Sequence, residues 1–86
     1  MSKRFQYQVC WSLSDHVRFV NGKWQGEDIP EADRQQKDVE GCPRVWDYLQ
    51  RAGAEGWELV WIVETSLGAT KGPQHKQTLF LKRELE

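Results

Sequence analysis

Residues 5–13 alternate strictly between apolar and polar side chains. One face of a strand would carry Phe5, Tyr7, Val9, Trp11 and Leu13, and the other face Gln6, Gln8, Cys10 and Ser12. This period of two predicts a β-strand with one buried face, which the apolar side chains mark. Ser14-Asp15 then predicts a turn. Asn21-Gly22, between two further apolar stretches, is typical of a hairpin joining strands at 16–20 and 23–25, because both turn positions need positive φ.

The middle of the chain changes character. Residues 26–42 are polar, with six acidic and two basic residues between 27 and 40, and predict a long loop with one helical turn after Pro30. Pro43 suits a helix start, and the helical spacing of apolar residues after it predicts a helix that ends at Gly53. Residues 57–64 are apolar on both faces and predict a central strand covered on both sides. Residues 76–83 predict a last strand.

These elements predict a single α+β domain over residues 1–86. We expect an antiparallel or mostly antiparallel sheet of four or five strands, with one helix packed on one face, in the order β-β-β-α-β-β. A chain of 86 residues with a net charge of −1 and no long apolar run excludes a membrane-spanning helix, a disulfide framework and a strongly basic nucleic-acid binder.

The segment Leu49-Gln50-Arg51-Ala52-Gly53-Ala54-Glu55-Gly56-Trp57-Glu58-Leu59-Val60 resembles the signature of a family of small bacterial and phage domains of unknown function. In that family a helix ends in a Gly-x-Glu-Gly-Trp-Glu-Leu-Val turn that runs into a strand. Phe5–Val9 and the ending Phe80-Leu81-Lys82-Arg83 are similar to the family's first and last strands. The resemblance implies a β-α-β-β sheet with one helix. It implies no activity and no catalytic residues, and residues 15–41 depart from its pattern.

The aromatic content gives the main functional hypothesis. Five Trp, two Tyr and three Phe are more large rings than an 86-residue domain can enclose. We therefore expect an interaction surface with exposed indoles, in a non-enzymatic protein-interaction module that binds a protein partner or itself. The candidate residues are Trp11, Trp24, Trp46 and Trp61.

Charge supports an alternative. Residues 71–83 contain Lys71, Lys76, Lys82 and Arg83 and no acidic residue. Basic residues beside aromatic rings on a sheet are able to bind single-stranded nucleic acid. If the first and last strands are neighbours, Lys3 and Arg4 join this patch. The net charge of the chain is slightly negative, which disfavours nucleic-acid binding. Lysines also commonly protect the sheet edges of proteins that bind no nucleic acid, so the protein-interaction hypothesis is favoured.

Reactive groups in the sequence do not assemble into a recognisable motif. Cys10 and Cys42 lack paired metal-ligand spacing, so we predict no metal site and no cofactor. Ser12, Ser14, Asp15 and His16 include the residue types of a catalytic triad, but their position in a turn favours a polar turn, so we predict no enzyme. A small-molecule site remains a third hypothesis. The absence of a secretory segment predicts a cytoplasmic location with reduced thiols.

Overall fold

The computed structural model describes residues 3–67 and 74–85, in which five strands form one antiparallel sheet and one α-helix packs against it. The elements are β1 Arg4–Leu13, β2 His16–Val20, β3 Lys23–Trp24, α1 Val45–Ala54, β4 Glu58–Leu67 and β5 Gln74–Leu85. The predicted α+β class is confirmed. The order differs from the predicted one because two short 3-10 helices, Glu31–Asp33 and Gln36–Gly41, lie between β3 and α1.

The strands lie in the order β3-β2-β1-β5-β4, so that β1 is central and β4 is at one edge. Both predicted turns are present, with positive φ at Ser14, Asp15, Asn21 and Gly22. The Asn21 side chain accepts a hydrogen bond from the Val9 backbone N–H at 2.8 Å, which ties the second turn to β1. β1 pairs with β5 along the whole length of β1, from Arg4 opposite Leu85 to Leu13 opposite Lys76.

The helix covers the face of β1 that the sequence marks as polar. The buried core consists of Cys10, Val17, Tyr48, Ala52, Leu79 and Leu81. Cys10 is fully buried, whereas Tyr7 is 66% exposed on the opposite face. The expectation that this face of β1 is buried is therefore wrong for Tyr7 and Trp11, although Leu13 at the end of the strand is buried. The small Cys10 side chain leaves room for the helix, and the Gln8 side-chain oxygen Oε1 accepts hydrogen bonds from the Tyr48 hydroxyl and the Cys10 thiol.

The predicted position of β4 in the sheet is also wrong. It is an edge strand, not a central one, and its apolar residues from Leu59 to Val63 are exposed. The core cluster contains side chains from β1, β2, β5 and α1, and none from residues 58–64 of β4. The helix therefore lies over the middle of the sheet. A single helix of ten residues is not wide enough to cover the edge strand β4 as well.

The helix is held at both ends by neighbouring segments. The Val45 N–H donates to the Asp15 carbonyl at 2.8 Å, which fixes the helix start against the β1–β2 turn. Gly53 lies inside the helix, so its predicted role after the helix end is wrong. Gly56, with φ of +92°, takes the left-handed conformation instead. Trp57 then packs against the core beneath the Arg83 guanidinium, 4.4 Å from the ring centre.

Candidate interaction surface

The sheet face opposite α1 carries a continuous group of exposed apolar side chains, here called the open face. Its exposed members are Tyr7, Trp11, Trp61, Val63 and Phe80. Strand register makes them neighbours, because Phe80 lies between Val9 and Trp61 in adjacent strands. In the next row, Thr78 lies between Trp11 and Val63. Directly opposed side chains in such rows are about 5 Å apart, so the open face is one surface across β1, β5 and β4.

The apolar surface continues around the edge of β4. Leu59 and Ile62 lie opposite the core residues Leu81 and Leu79, so they belong to the helix side of the sheet. Both are nevertheless exposed, since α1 does not extend over this edge. A bulge at Val60 separates the Leu59 and Trp61 pairings. The edge strand thus presents apolar side chains on both faces.

The size of this surface distinguishes it from scattered surface residues. The open face and the β4 edge together expose four aromatic and four aliphatic side chains. With about 200 Å² for an aromatic side chain and roughly 100 Å² for an aliphatic one, their exposed parts amount to about 600 Å². Monomeric proteins seldom expose a larger contiguous apolar patch, and patches of this size mark interaction sites.

The 26–42 segment covers the other end of the same sheet face. Phe19 packs edge-on against both Trp11 and Trp24, with ring centres 5.9 and 5.5 Å apart. Arg34 from this segment stacks 4.7 Å above the Trp24 ring. The Trp24 indole donates to the Glu27 carbonyl at 2.8 Å. The acidic segment therefore has a structural role, because it closes the β2–β3 end and leaves the β1–β5–β4 end uncovered.

The close approach of the backbone at Gly26 to the Trp24 ring depends on the absence of a side chain at that glycine. A Cβ added to Gly26 would lie 2.7 Å from the Trp24 ring, closer than packed atoms approach. Gly26 therefore allows the chain to leave β3 directly beneath its last side chain. This local geometry lets the segment return across the sheet toward Leu13.

The four tryptophans proposed from sequence do not form one surface. Trp61 and Trp11 are 66% and 49% exposed on the open face. Trp24 is half-buried under Arg34 at the closed end. Trp46 is 53% exposed, but it lies on α1, in the layer on the other side of the sheet, with the Arg44 guanidinium 5.0 Å from its ring.

Several members of the surface escaped sequence reasoning. Tyr7 was assigned to a buried face because it alternates with polar residues, and Ile62 to a covered strand because that strand is apolar on both faces. Phe80 was placed in the last strand without a face. The two-faced apolarity of β4 was the available signal. It indicates cover on both sides, and it does not distinguish cover within the chain from cover by a second molecule.

The basic residues proposed from sequence separate onto two faces. Lys76 and Lys82 share a strand face with Phe80 on β5 and lie on the open face, where the Lys82 ammonium is 4.7 Å from the Phe5 ring centre. Glu58 is opposite Lys82 on the same face. Arg83 lies on the helix side and donates to the Gln6 side chain at 2.6 Å. Lys71 lies outside the described residues. The open face therefore carries mixed charge at its rim.

The two thiols are protected from solvent. Cys10 and Cys42 are free and buried, and desolvation raises the pKa of each thiol above 9.0. Burial also raises the pKa of the Tyr48 hydroxyl. His16 Nδ1 lies 2.9 Å from the Cys42 carbonyl, so this ring is used in a structural contact. Within residues 3–67 and 74–85, no group of three or more His, Cys, Asp or Glu side chains could hold a metal ion.

A cleft of about 300 Å³ lies between the sheet and the 26–42 segment. Arg18, Arg34 and Glu31 contribute its charged groups, and Leu13, Phe19, Trp24 and Val39 its apolar ones. The Arg18 Nε is buried, and no hydrogen-bond partner for it lies in the described part of the chain. Two guanidinium groups and one carboxylate give the cleft a modest positive charge and no nucleophile.

Comparisons with known proteins leave the surface as the main guide to function. No protein-family model, no curated protein and no solved structure matches this chain. The resemblance of residues 49–60 to a family of small bacterial and phage domains therefore stays a prediction. Among the described residues, no helix is long and apolar enough to cross a membrane.

Proposed function

We propose that this chain is a non-enzymatic protein-interaction domain that docks partners on its open face and along the β4 edge. The observation that supports this proposal is the continuous apolar surface that runs from Tyr7 across Phe80 to Trp61 and around the edge to Ile62. We also propose a cytoplasmic location, where the two free thiols would stay reduced.

The energetics of the surface are consistent with a binding role. Removing about 600 Å² of apolar surface from water contributes on the order of 15 kcal/mol of gross stabilisation. Association costs an estimated 4–15 kcal/mol or more in lost rotational and translational freedom. The surface is therefore large enough for specific binding when the partner is complementary. Exposed Trp and Tyr side chains, such as Trp61 and Tyr7, are the residue types that dominate such interfaces.

The test compares two tryptophans of similar exposure in affinity capture from a native lysate. The bait is the full chain, as wild type, Trp61→Lys or Trp46→Lys. We expect the Trp61→Lys bait to lose the proteins that the wild-type bait captures, including an untagged copy of the chain itself. The Trp46→Lys bait should retain them, because only Trp61 of the two lies on the open face. Equal capture by all three baits, or capture of nothing above background, would contradict the proposal.

Single-stranded nucleic acid is a second candidate partner, favoured by one observation. Lys76 and Lys82 lie on the open face on either side of Phe80 along β5, so phosphate contacts and base stacking would be available together. Glu58 and Glu84 lie on the same face and oppose this binding. A titration with a labelled single strand at low salt tests it. Binding that weakens with salt and with Lys82→Glu would support it, and no binding would exclude it.

A further inference from the structure

We propose that a second copy of the chain occupies the β4 edge of this surface, with the two β4 strands paired antiparallel across a two-fold axis near Ile62. This inference rests on the proposed function and names its partner. The two five-stranded sheets would then form one continuous ten-stranded sheet, with the helices of both copies on the same side.

The two edges of the sheet differ in how they are protected. β3 is two residues long, begins with Lys23, and runs directly into the 26–42 segment. Natural proteins protect edges in this way, with short strands and lysine. β4 is ten residues long and contains no proline or lysine, and the bulge at Val60 is its main irregularity. In the described part of the chain, no strand pairs with its outer edge. A long, apolar edge of this kind is a template for strand pairing.

Both faces of β4 would be covered by this pairing. Strand addition places new side chains beside Leu59 and Ile62 on the helix side and beside Trp61 and Val63 on the open face. A partner that covered only the open face would leave Ile62 exposed. Exposure on both sides of one edge therefore favours strand pairing over face-to-face packing.

Only the β4 part of the exposed apolar surface enters this pairing. The exposed parts of its side chains, Leu59, Val60, Trp61, Ile62 and Val63, amount to about 300 Å². A standard interface buries about 800 Å² on each partner, of which roughly 60% is apolar. The pairing therefore gives a small interface, in which backbone hydrogen bonds along the two β4 edges add to the apolar contact. The net charge of −1 adds little repulsion between two copies.

A two-fold axis restricts the register. The same residues must meet on both sides, and directly opposed residues must share a face. With Ile62 opposite its own copy, Trp61 lies opposite Val63 of the second copy, and this contact occurs twice. The antiparallel arrangement also brings the Glu58 end of each β4 beside the end where Thr65 pairs with Lys76. Glu58 and Lys76 of different copies then lie near each other on the open face, with opposite charge.

Sedimentation and light scattering of the purified chain test the association. We expect twice the chain mass of 10.1 kDa at about 100 µM. Trp61→Lys should weaken dimerisation at least about 30-fold, the effect expected for a central interface Trp. Trp46→Lys should change it less than about twofold, since solvated positions outside an interface contribute little. Circular dichroism of each variant checks that it is folded.

Cysteine crosslinking tests the register. Directly opposed Cβ atoms lie about 4.5–5.5 Å apart, close enough for a disulfide after a small adjustment. Ile62→Cys should therefore form a covalent dimer under mild oxidation, while Val63→Cys and Trp46→Cys should react far more slowly. Native Cys10 and Cys42 are buried and should not contribute. Faster crosslinking through position 63 or 46 than through position 62 would overturn this pairing.

A charge exchange provides a second test that depends less on folding. Glu58→Lys and Lys76→Glu should each weaken the dimer, and the double variant should recover it. A monomer at all concentrations, or a dimer unaffected by Trp61→Lys, would overturn self-pairing. If that monomer still captured a different protein in a Trp61-dependent manner, the interaction function would stand and only its self-association would be wrong. Salt-dependent binding of a single strand by a monomer would overturn both.

Discussion

Neighbouring residues on β5 offer a direct test of which sheet face is buried. Leu79 is fully buried beneath α1, whereas Phe80 is 37% exposed on the open face. Leu79→Ala leaves a cavity that the helix and Cys10 cannot fill, and buried Leu→Ala changes cost about 3–4 kcal/mol. Phe80→Ala removes a larger side chain, but the space it leaves is open to solvent. We expect it to cost about 1–2 kcal/mol, the transfer contribution without a closed cavity.

The total stability of the domain makes this difference measurable. At roughly 0.05–0.15 kcal/mol per residue, a domain of this size has a free energy of unfolding of about 4–13 kcal/mol. Leu79→Ala therefore removes a large share of it. Urea unfolding followed by circular dichroism gives both values, and the slope with urea concentration should be unchanged. Measurements at two protein concentrations separate folding from dimer dissociation.

The result that would refute this reasoning is a reversed order. If Phe80→Ala lost more stability than Leu79→Ala at protein concentrations where the chain is monomeric, the helix would lie on the aromatic face of the sheet. The open face, the proposed function and the proposed dimer would then have no structural basis.

Three further predictions concern the core and the helix end. Gly53→Ala should stabilise the domain by about 0.5–1 kcal/mol in urea unfolding, because Gly53 is helical and an added Cβ would meet no other atom. Gly56→Ala should destabilise it by about 1 kcal/mol, because Gly56 has a φ of +92° that alanine rarely adopts. The Cys10 and Cys42 thiols should react slowly with a thiol reagent at pH 8 and rapidly in urea, and equal rates would contradict their burial. The free energy of unfolding should fall as pH rises above 9.0, because burial raises the thiol pKa and the folded state then holds protons that the unfolded state releases; a pH series of urea midpoints measures it.

Local signals in the sequence predicted the elements well, because their causes are local. Asn21-Gly22 adopts positive φ in any chain with that turn, and alternation over residues 5–13 identifies a strand whatever packs on it. The pairing of β1 with β5 was considered only as a condition for joining Lys3 and Arg4 to the basic patch, and the structure shows that these strands do pair. The helical turn expected after Pro30 corresponds to the 3-10 helix Glu31–Asp33. The second 3-10 helix, Gln36–Gly41, was missed because a polar stretch has no periodicity to indicate it.

The candidate surface could be predicted only in part. Surplus tryptophan indicated that some indoles are exposed, and Trp61 and Trp11 are exposed. Sequence patterns do not show which tryptophans share a face of the folded sheet. Trp46 carries the same signal as Trp61 but lies on the helix, and Tyr7 and Phe80 carry a signal that indicates burial in most proteins.

The sequence by itself determined the strands, the turns, the helix and the α+β class, since each depends on side chains within a few residues of one another. Only the tertiary structure decided which face of the sheet the helix covers. That choice depends on how a ten-residue helix fits over the small Cys10 side chain, and on the hydrogen bond that the Tyr48 hydroxyl donates to the Gln8 side chain. The local sequence preferences of β1 allow the helix to cover either face of the strand. Packing between the helix and the sheet selected the face with the smaller side chains, and the face with the larger aromatic side chains stays exposed to solvent.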